Sequence, residues 1–234
     1  MLPERRHDIS RLEGFSDAVF AFVLTLLVVS LEVPRSYAKL IELVRGFPSF
    51  ACCFALLVWI WHEHNMYFRR YGLQDGYTVF LNAVLLFVVM FYVYPLKFMF
   101  DSMFREFMRT QSSTLERMTF VQLSRASAIY GFGFIILFVM FAALYWHAYR
   151  KRVELGLTPL EVFDVRAYVG HHLVSVAVGV VAVIVALAVP PRIAFVSPMC
   201  FGLMGPAHWA WGTRAERRRS ALERRLRGEP APSA

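Results

Sequence analysis

The chain has 234 residues, of which 58% are hydrophobic and 16% aromatic, with a formal charge of +8. That apolar content lies above the roughly 45–50% of soluble domains, and it is gathered into blocks long enough to cross a hydrocarbon core of about 30 Å. The composition excludes an ordinary soluble enzyme and leaves no room for a separate catalytic domain. It predicts an all-α integral membrane protein with six transmembrane helices.

The first predicted span covers 14–34. Arg5 and Arg6 precede it and Ser36-Tyr37-Ala38 loosely mimics a cleavage site, yet Asp17 does not suit the apolar core of a signal peptide. The segment is read as a retained helix. Ser16 and Asp17 stand at its mouth, and an ionisable residue in a membrane-length segment marks a pathway or a packing network. On a helical wheel with Asp17 as the origin, Ala21 falls at about 40° and Val28 at about 20°. Phe22 falls at about 140°, Leu26 at about 180°, Val29 at about 120° and Thr25 at about 80°. The acid and the bulky stripe thus occupy different faces. By periodicity alone, such a stripe is a packing or lipid-facing surface.

The second span, 46–68, ends Trp59-Ile60-Trp61-His62-Glu63-His64-Asn65, and the third, 77–100, carries Asn82. A polar group in hydrocarbon needs a partner, and the economical pairing joins Ser16 and Asp17 to Trp61, His62 or His64, and Asn82. Lys97, after Pro95, is expected to snorkel to the outer surface. The connection 101–125 sets Phe104, Phe107, Met108, Leu115, Met118 and Phe120 among arginines and glutamates, which suits a surface-lying amphipathic helix.

The fourth span is 126–149, where Gly131-Phe132-Gly133 predicts a close helix–helix contact. The fifth and sixth, 169–190 and 192–212, are separated only by Pro190-Pro191-Arg192. Pro198, Gly202, Gly205 and Pro206 interrupt the sixth, so a broken or re-entrant final helix is expected as the alternative to a continuous one. Residues 1–213 are read as the transmembrane domain and 214–234 as an arginine-rich tail.

Most of the 25 basic residues fall on one side of a six-span chain: Arg5, Arg6, Arg11, Arg69, Arg70, Arg150, Lys151, Arg152, Arg166 and the tail from Arg214 to Arg227. By the positive-inside rule both termini are predicted cytoplasmic. The tail is expected to continue the last helix and to touch anionic headgroups. It has no folded reader or aromatic groove for nucleic acid. The closing Gly-Glu-Pro-Ala-Pro-Ser-Ala reads as disordered.

No catalytic constellation is visible: there is no G-x-S-x-G, Walker loop or G-x-G-x-x-G. Cys52, Cys53 and Cys200 have no metal or disulfide spacing and read as small buried hydrophobes. His62-Glu63-His64 is not H-E-x-x-H; residues two apart point about 200° apart, so the two histidines cannot chelate one ion from a regular helix. His171, His172 and His208 read as structural. No T-V-G-Y-G filter occurs.

The pattern R-x-x-x-F-S-D-x-x-x-A, formed by Arg11, Phe15, Ser16, Asp17 and Ala21, resembles the signature of the transmembrane protein 175 family of potassium-permeable channels. The Trp/His end of the second span and Asn82 are similar to positions packed around that signature. The resemblance implies a single six-helix repeat of the prokaryotic kind, a homotetramer in the cytoplasmic membrane of a prokaryote. It implies passive potassium conduction without cofactor or ATP, through a pore lined by the first helix of each subunit. Carried over by position, Phe22, Leu26 and Val29 form the hydrophobic constriction, and Thr25 offers a hydroxyl to a passing ion. Phe22 departs from the isoleucine or leucine more usual there. The rival readings are a proton-coupled secondary transporter, with Asp17 and the histidines as a relay, and a non-transporting membrane scaffold.

Overall fold

In a computed structural model of the chain, the described residues are 9–108, 119–190, 193 and 196–228. Their regular elements are all helical: α1 Arg11–Val29, α2 Tyr37–Arg45, α3 Phe47–Tyr71, α4 Gly76–Met108, α5 Phe120–Arg150, α6 Pro159–Ala188, α7 Val196–Met199 and α8 Met204–Leu226, with a 3-10 turn at Cys200–Leu203. Four of them (α1, α4, α5 and α6) are long and apolar enough to cross a membrane alone. A fifth is added if α2 and α3, bent by 45°, count as one span.

Local chemistry sets the boundaries. Ser10 and Glu13 form a reciprocal capping box that starts α1, as do Thr119 and Gln122 for α5, and Thr158 and Glu161 for α6. Pro48 stands in the first turn of α3, where its missing N–H costs nothing. Gly72 ends the same helix at φ 55°, a left-handed turn that only glycine adopts without strain.

Several expected boundaries are corrected. α1 stops at Val29 rather than 34, because Ser30 turns its hydroxyl back to the Leu27 carbonyl (2.6 Å) and Pro34 disfavours helix at the residue before it. The amphipathic α2 occupies the interval between the first two expected spans. Residues 101–108 do not lie as a separate surface helix but prolong α4, while Phe120 opens α5; Leu115 and Met118 lie outside the described residues. α6 begins well before the expected residue 169, at its capping box. The expected 192–212 span is instead α7, a 3-10 turn and α8, with Pro198 in α7, Gly202 in the 3-10 turn and Gly205 and Pro206 in the first turn of α8. α8 runs unbroken from Met204 to Leu226, so the arginine-rich tail continues the last helix as expected. Arg5, Arg6 and residues 229–234 lie outside the described residues.

Successive long helices alternate in direction. Ser16 meets Asn82 and Ser30 meets Lys97, so α1 and α4 run parallel. α3 runs against both, since Trp61 meets Asp17 and Ser49 meets Asp101. α5 packs on α6 most intimately. Gly131 lies where a Cβ would stand 2.5 Å from a Val183 methyl, and Gly179 lies against Ile135 and Phe134; Gly133 faces Tyr92 of α4. Removing side chains at such points lets backbones approach closely. The core between α3, α4 and α5 is aromatic, with Tyr67, Phe68, Phe138, Phe141 and Tyr145 all sealed from solvent.

α8 lies antiparallel along α6. The Ser197 hydroxyl donates to the Ala182 carbonyl (2.9 Å) and the Trp211 indole N–H to that of Ala167 (3.1 Å). His208 contacts Ser175 Oγ at 2.9 Å and His171 Nδ1 at 3.1 Å. Arg219 Nε donates to Asp164 Oδ1 (2.9 Å). The Trp211 ring fills the space above Gly170 so fully that a Cβ there would overlap it. Among the described residues the three cysteines are free, with Cys53 and Cys200 buried and Cys52 half-buried.

Candidate functional site

α1 divides lengthwise. Ser16, Phe20, Val23 and Leu27, at i, i+4, i+7 and i+11, are buried against α3 and α4. The opposite arc is bare along its length: Phe15, Ala18, Phe22, Thr25 and Val29 are exposed, with Phe22 at 52% and Val29 at 71%. Phe15, Phe22 and Val29 repeat every seven residues and so form one stripe, in which Thr25 sits between the last two. Leu26 is half-buried at the margin of that stripe rather than on it. Arg11 is exposed at the first residue of the helix.

The buried face carries a polar anchor. Ser16 Oγ donates to the Leu12 carbonyl (2.8 Å) and accepts from Asn82 Nδ2 (3.0 Å). Asn82 Oδ1 lies 2.7 Å from His64 Nε2. The chain of donors fixes the histidine: Ser16 has spent its proton on the backbone, so Asn82 must present its amide nitrogen to Ser16 and its oxygen to His64. His64 therefore donates from Nε2. Asn82 and His64 are buried, and the His64 ring packs against Phe20 and Phe68. These bonds link α1, α4 and α3 where no water competes.

Asp17 takes a different partner, accepting from Trp61 Nε1 (2.8 Å) at the edge of the exposed arc. Of the residues singled out on α3, Trp61 and His64 are thus brought to the signature. His62 is exposed and takes no part, and Glu63 is buried on the side facing Tyr145. His62 and His64 diverge. No group of three or more His, Cys, Asp or Glu side chains that could hold a metal occurs among the described residues.

One contact was not legible beforehand. Lys97 is half-buried, and its Nζ donates to the Ser30 carbonyl (3.0 Å) and to Ser30 Oγ (2.7 Å), capping the last turn of α1. The available signal was Ser30 itself, the one polar residue in the apolar run between Thr25 and Glu32.

At the end of the bundle that holds the start of α1, outside the apolar spans, Asp75 caps α4 by accepting from the Tyr77 and Thr78 backbone N–H groups. Its carboxylate also meets His147 (2.9 Å) and Lys151 (3.5 Å) of the α5 end. Burial works to raise its pKa, but the bonds from His147 and Thr78 and the charge of Lys151 outweigh it and hold the carboxyl well below the usual range.

Fold and site together define a multi-pass helical membrane protein whose first helix is anchored on one face and bare on the other. The family described as "Endosomal/lysosomal potassium channel TMEM175" matches residues 11–92, the stretch that holds the whole polar anchor. A protein of Marivirga tractuosa named "Potassium channel" is 36% identical over 187 residues, covering 77% of this chain and 76% of that protein. A Streptomyces collinus potassium channel is 29% identical over 150 residues, covering 62% of this chain and 66% of its own. Among solved structures, a single-residue variant of the potassium channel MtTMEM175, crystallised with a nanobody–MBP fusion, superposes with a TM-score of 0.81 at 32% identity. It covers 92% of this chain and 97% of its own. A TMEM175 homologue from Chamaesiphon minutus, at 22% identity and TM-score 0.55, shares the fold. The chain belongs to the TMEM175 family, a family of channels and not of enzymes.

Proposed function

We propose that this protein is a potassium-permeable channel in which the bare arc of α1, contributed by each subunit of a homotetramer, lines the conduction path. Family membership and the division of α1 carry the reading. A helix that buries one face on its own subunit and leaves a continuous stripe of Phe15, Phe22, Thr25 and Val29 free is suited to face a shared axis. Leu26 contributes at the margin. Phe22 and Val29 form apolar constrictions that work by dewetting and by the cost of stripping ion hydration. Thr25 Oγ1 donates to the Ala21 carbonyl (2.9 Å), so the hydroxyl proton is committed to the backbone and oxygen lone pairs are left for a cation.

The polar anchor is structural in this scheme. Ser16, Asn82 and His64 fix the rotation of α1, and Asp17 with Trp61 holds its edge, so that the stripe rather than the buried face points to the axis. Arg11 and Phe15 stand at the entrance. Conduction is passive, needing neither ATP nor a cofactor.

The chain crosses six times, with α7, the 3-10 turn and α8 as a broken sixth crossing. The alternating directions of the helices support both termini on one side, and the arginines there make that side cytoplasmic in the membrane of a prokaryote. The α8 arginines meet anionic headgroups.

The test is ion flux from proteoliposomes loaded with potassium, with sodium and caesium controls. Potassium-favouring conduction that rises and loses selectivity in Phe22→Ser supports the channel. Saturable exchange driven strictly by pH would move the assignment to a carrier, and no flux from correctly assembled protein would leave a scaffold.

A further inference from the structure

We propose that Lys97 is a positioning residue for the conduction path: it clamps the far end of α1 and sets a fixed positive charge at that exit. The inference rests on the reading of α1 as the pore helix.

The local chemistry is unusual for a membrane segment. An ammonium placed between apolar helices is costly, and the capping of Ser30 that Lys97 performs could be done by a neutral donor. Both of its hydrogen bonds go to Ser30. Among the described residues no carboxylate pairs with it. Asp101, one turn further along α4, instead accepts from Ser49 of α3. The ammonium of Lys97 is therefore held by Ser30 and not by a direct ion pair.

What it does face is the C-terminal end of α1. Aligned peptide dipoles place roughly half a negative charge there, and a cation attracted to it would rest at the exit instead of leaving. Lys97 offsets that field. It also fixes the turn that follows Val29. Ser30 N–H donates to the Leu26 carbonyl (3.0 Å), Ser30 Oγ to that of Leu27 (2.6 Å), and Leu31 N–H to that of Val28 (3.0 Å). With Lys97 on the Ser30 carbonyl, this turn is tied to α4, and the exposed Val29 side chain beside it is held in place.

The two roles separate by substitution. Lys97→Gln keeps a donor and removes the charge. Lys97→Arg keeps both. Ser30→Asp leaves the lysine but neutralises it, and serves should Lys97→Gln not assemble. The readout is the ratio of potassium currents in the two directions, recorded from oriented patches at 10 mM and at 1 M potassium, with wild type alongside. One unscreened charge about 10 Å from the path changes local cation concentration about two-fold in water. The screening length falls from about 30 Å to about 3 Å between these two concentrations.

Lys97→Gln and Ser30→Asp are expected to raise current entering at the Lys97 end about two-fold at 10 mM and to converge with wild type at 1 M. Lys97→Arg is expected to match wild type at both. A conducting wild type whose current ratio at 10 mM is unaltered in both neutralising variants overturns the proposal. So does an equal change at both concentrations, which marks a merely structural lysine. A silent wild type instead removes the pore reading, and this inference with it.

Discussion

Asn82→Ala tests whether the polar anchor holds the first helix. In the wild type Asn82 donates to Ser16 (3.0 Å) and accepts from His64 (2.7 Å). Truncation leaves the His64 Nε2–H without an acceptor at 2% exposure. An orphaned buried donor costs about 1–3 kcal/mol. Ser16 loses one incoming bond but keeps its own to Leu12, a smaller loss of about 0.6 kcal/mol. Together the substitution should destabilise the subunit by about 2–4 kcal/mol. Reversible unfolding in mixed detergent micelles, followed by far-UV ellipticity, measures it. The double variant Asn82→Ala/Ser16→Ala should be less destabilised than the sum of the two single variants, because both break the same bond. Stability within about 0.5 kcal/mol of wild type, or strict additivity in the cycle, would show that the network does not anchor α1.

Three further outcomes are expected. Trp61→Phe removes the donor to Asp17 and should cost about 1 kcal/mol, while Asp17→Ala should reduce yield or oligomer size on gel filtration; wild-type behaviour of both would remove that pair from the scheme. Gly170→Val should expel the Trp211 ring and loosen α8, costing about 1–3 kcal/mol, and trypsin should then cut the arginine tail faster; an unchanged cleavage rate would contradict the docking of α8 on α6. Asp75→Asn keeps the helix cap but loses the charge facing Lys151, a loss of about 1 kcal/mol once partial exposure is allowed for. Because the folded carboxyl is depressed below its ordinary 3.8, its contribution is fully present above that pH and is lost as pH falls toward the folded value. The stability gap between wild type and Asp75→Asn should thus narrow as pH falls below 4. A gap that widens on acidification would reverse the assignment.

What the sequence made legible followed from short-range chemistry. The apolar blocks, the acid at the mouth of α1 and the separation of Asp17 from Phe22 and Val29 are all consequences of helical periodicity. The capping box at Thr158 and Glu161, with Pro159 between them, is equally local, but hydropathy hides it because the first turns of α6 carry Glu161, Asp164 and Arg166. Leu26 shows the limit of an ideal wheel: diametrically across from Asp17, it lies at the boundary where a small tilt decides between the bare arc and the packed face. Lys97 and Ser30 are far apart in the chain, and only the packing of α4 beside α1 brings them together. Likewise Trp61 and His64 are near neighbours on one helix, yet serve Asp17 and Asn82 separately.

The most direct test of the account is cysteine scanning of α1 in a background freed of Cys52, Cys53 and Cys200. Single cysteines at Phe22, Thr25 and Val29 are compared with single cysteines at Phe20, Val23 and Leu27 on the opposite face. Potassium flux is measured before and after a membrane-impermeant, charged thiol reagent. Block is expected at the first three positions and no effect at the other three. Block that follows the buried face, or that falls on neither, would contradict a conduction path lined by the bare arc of α1.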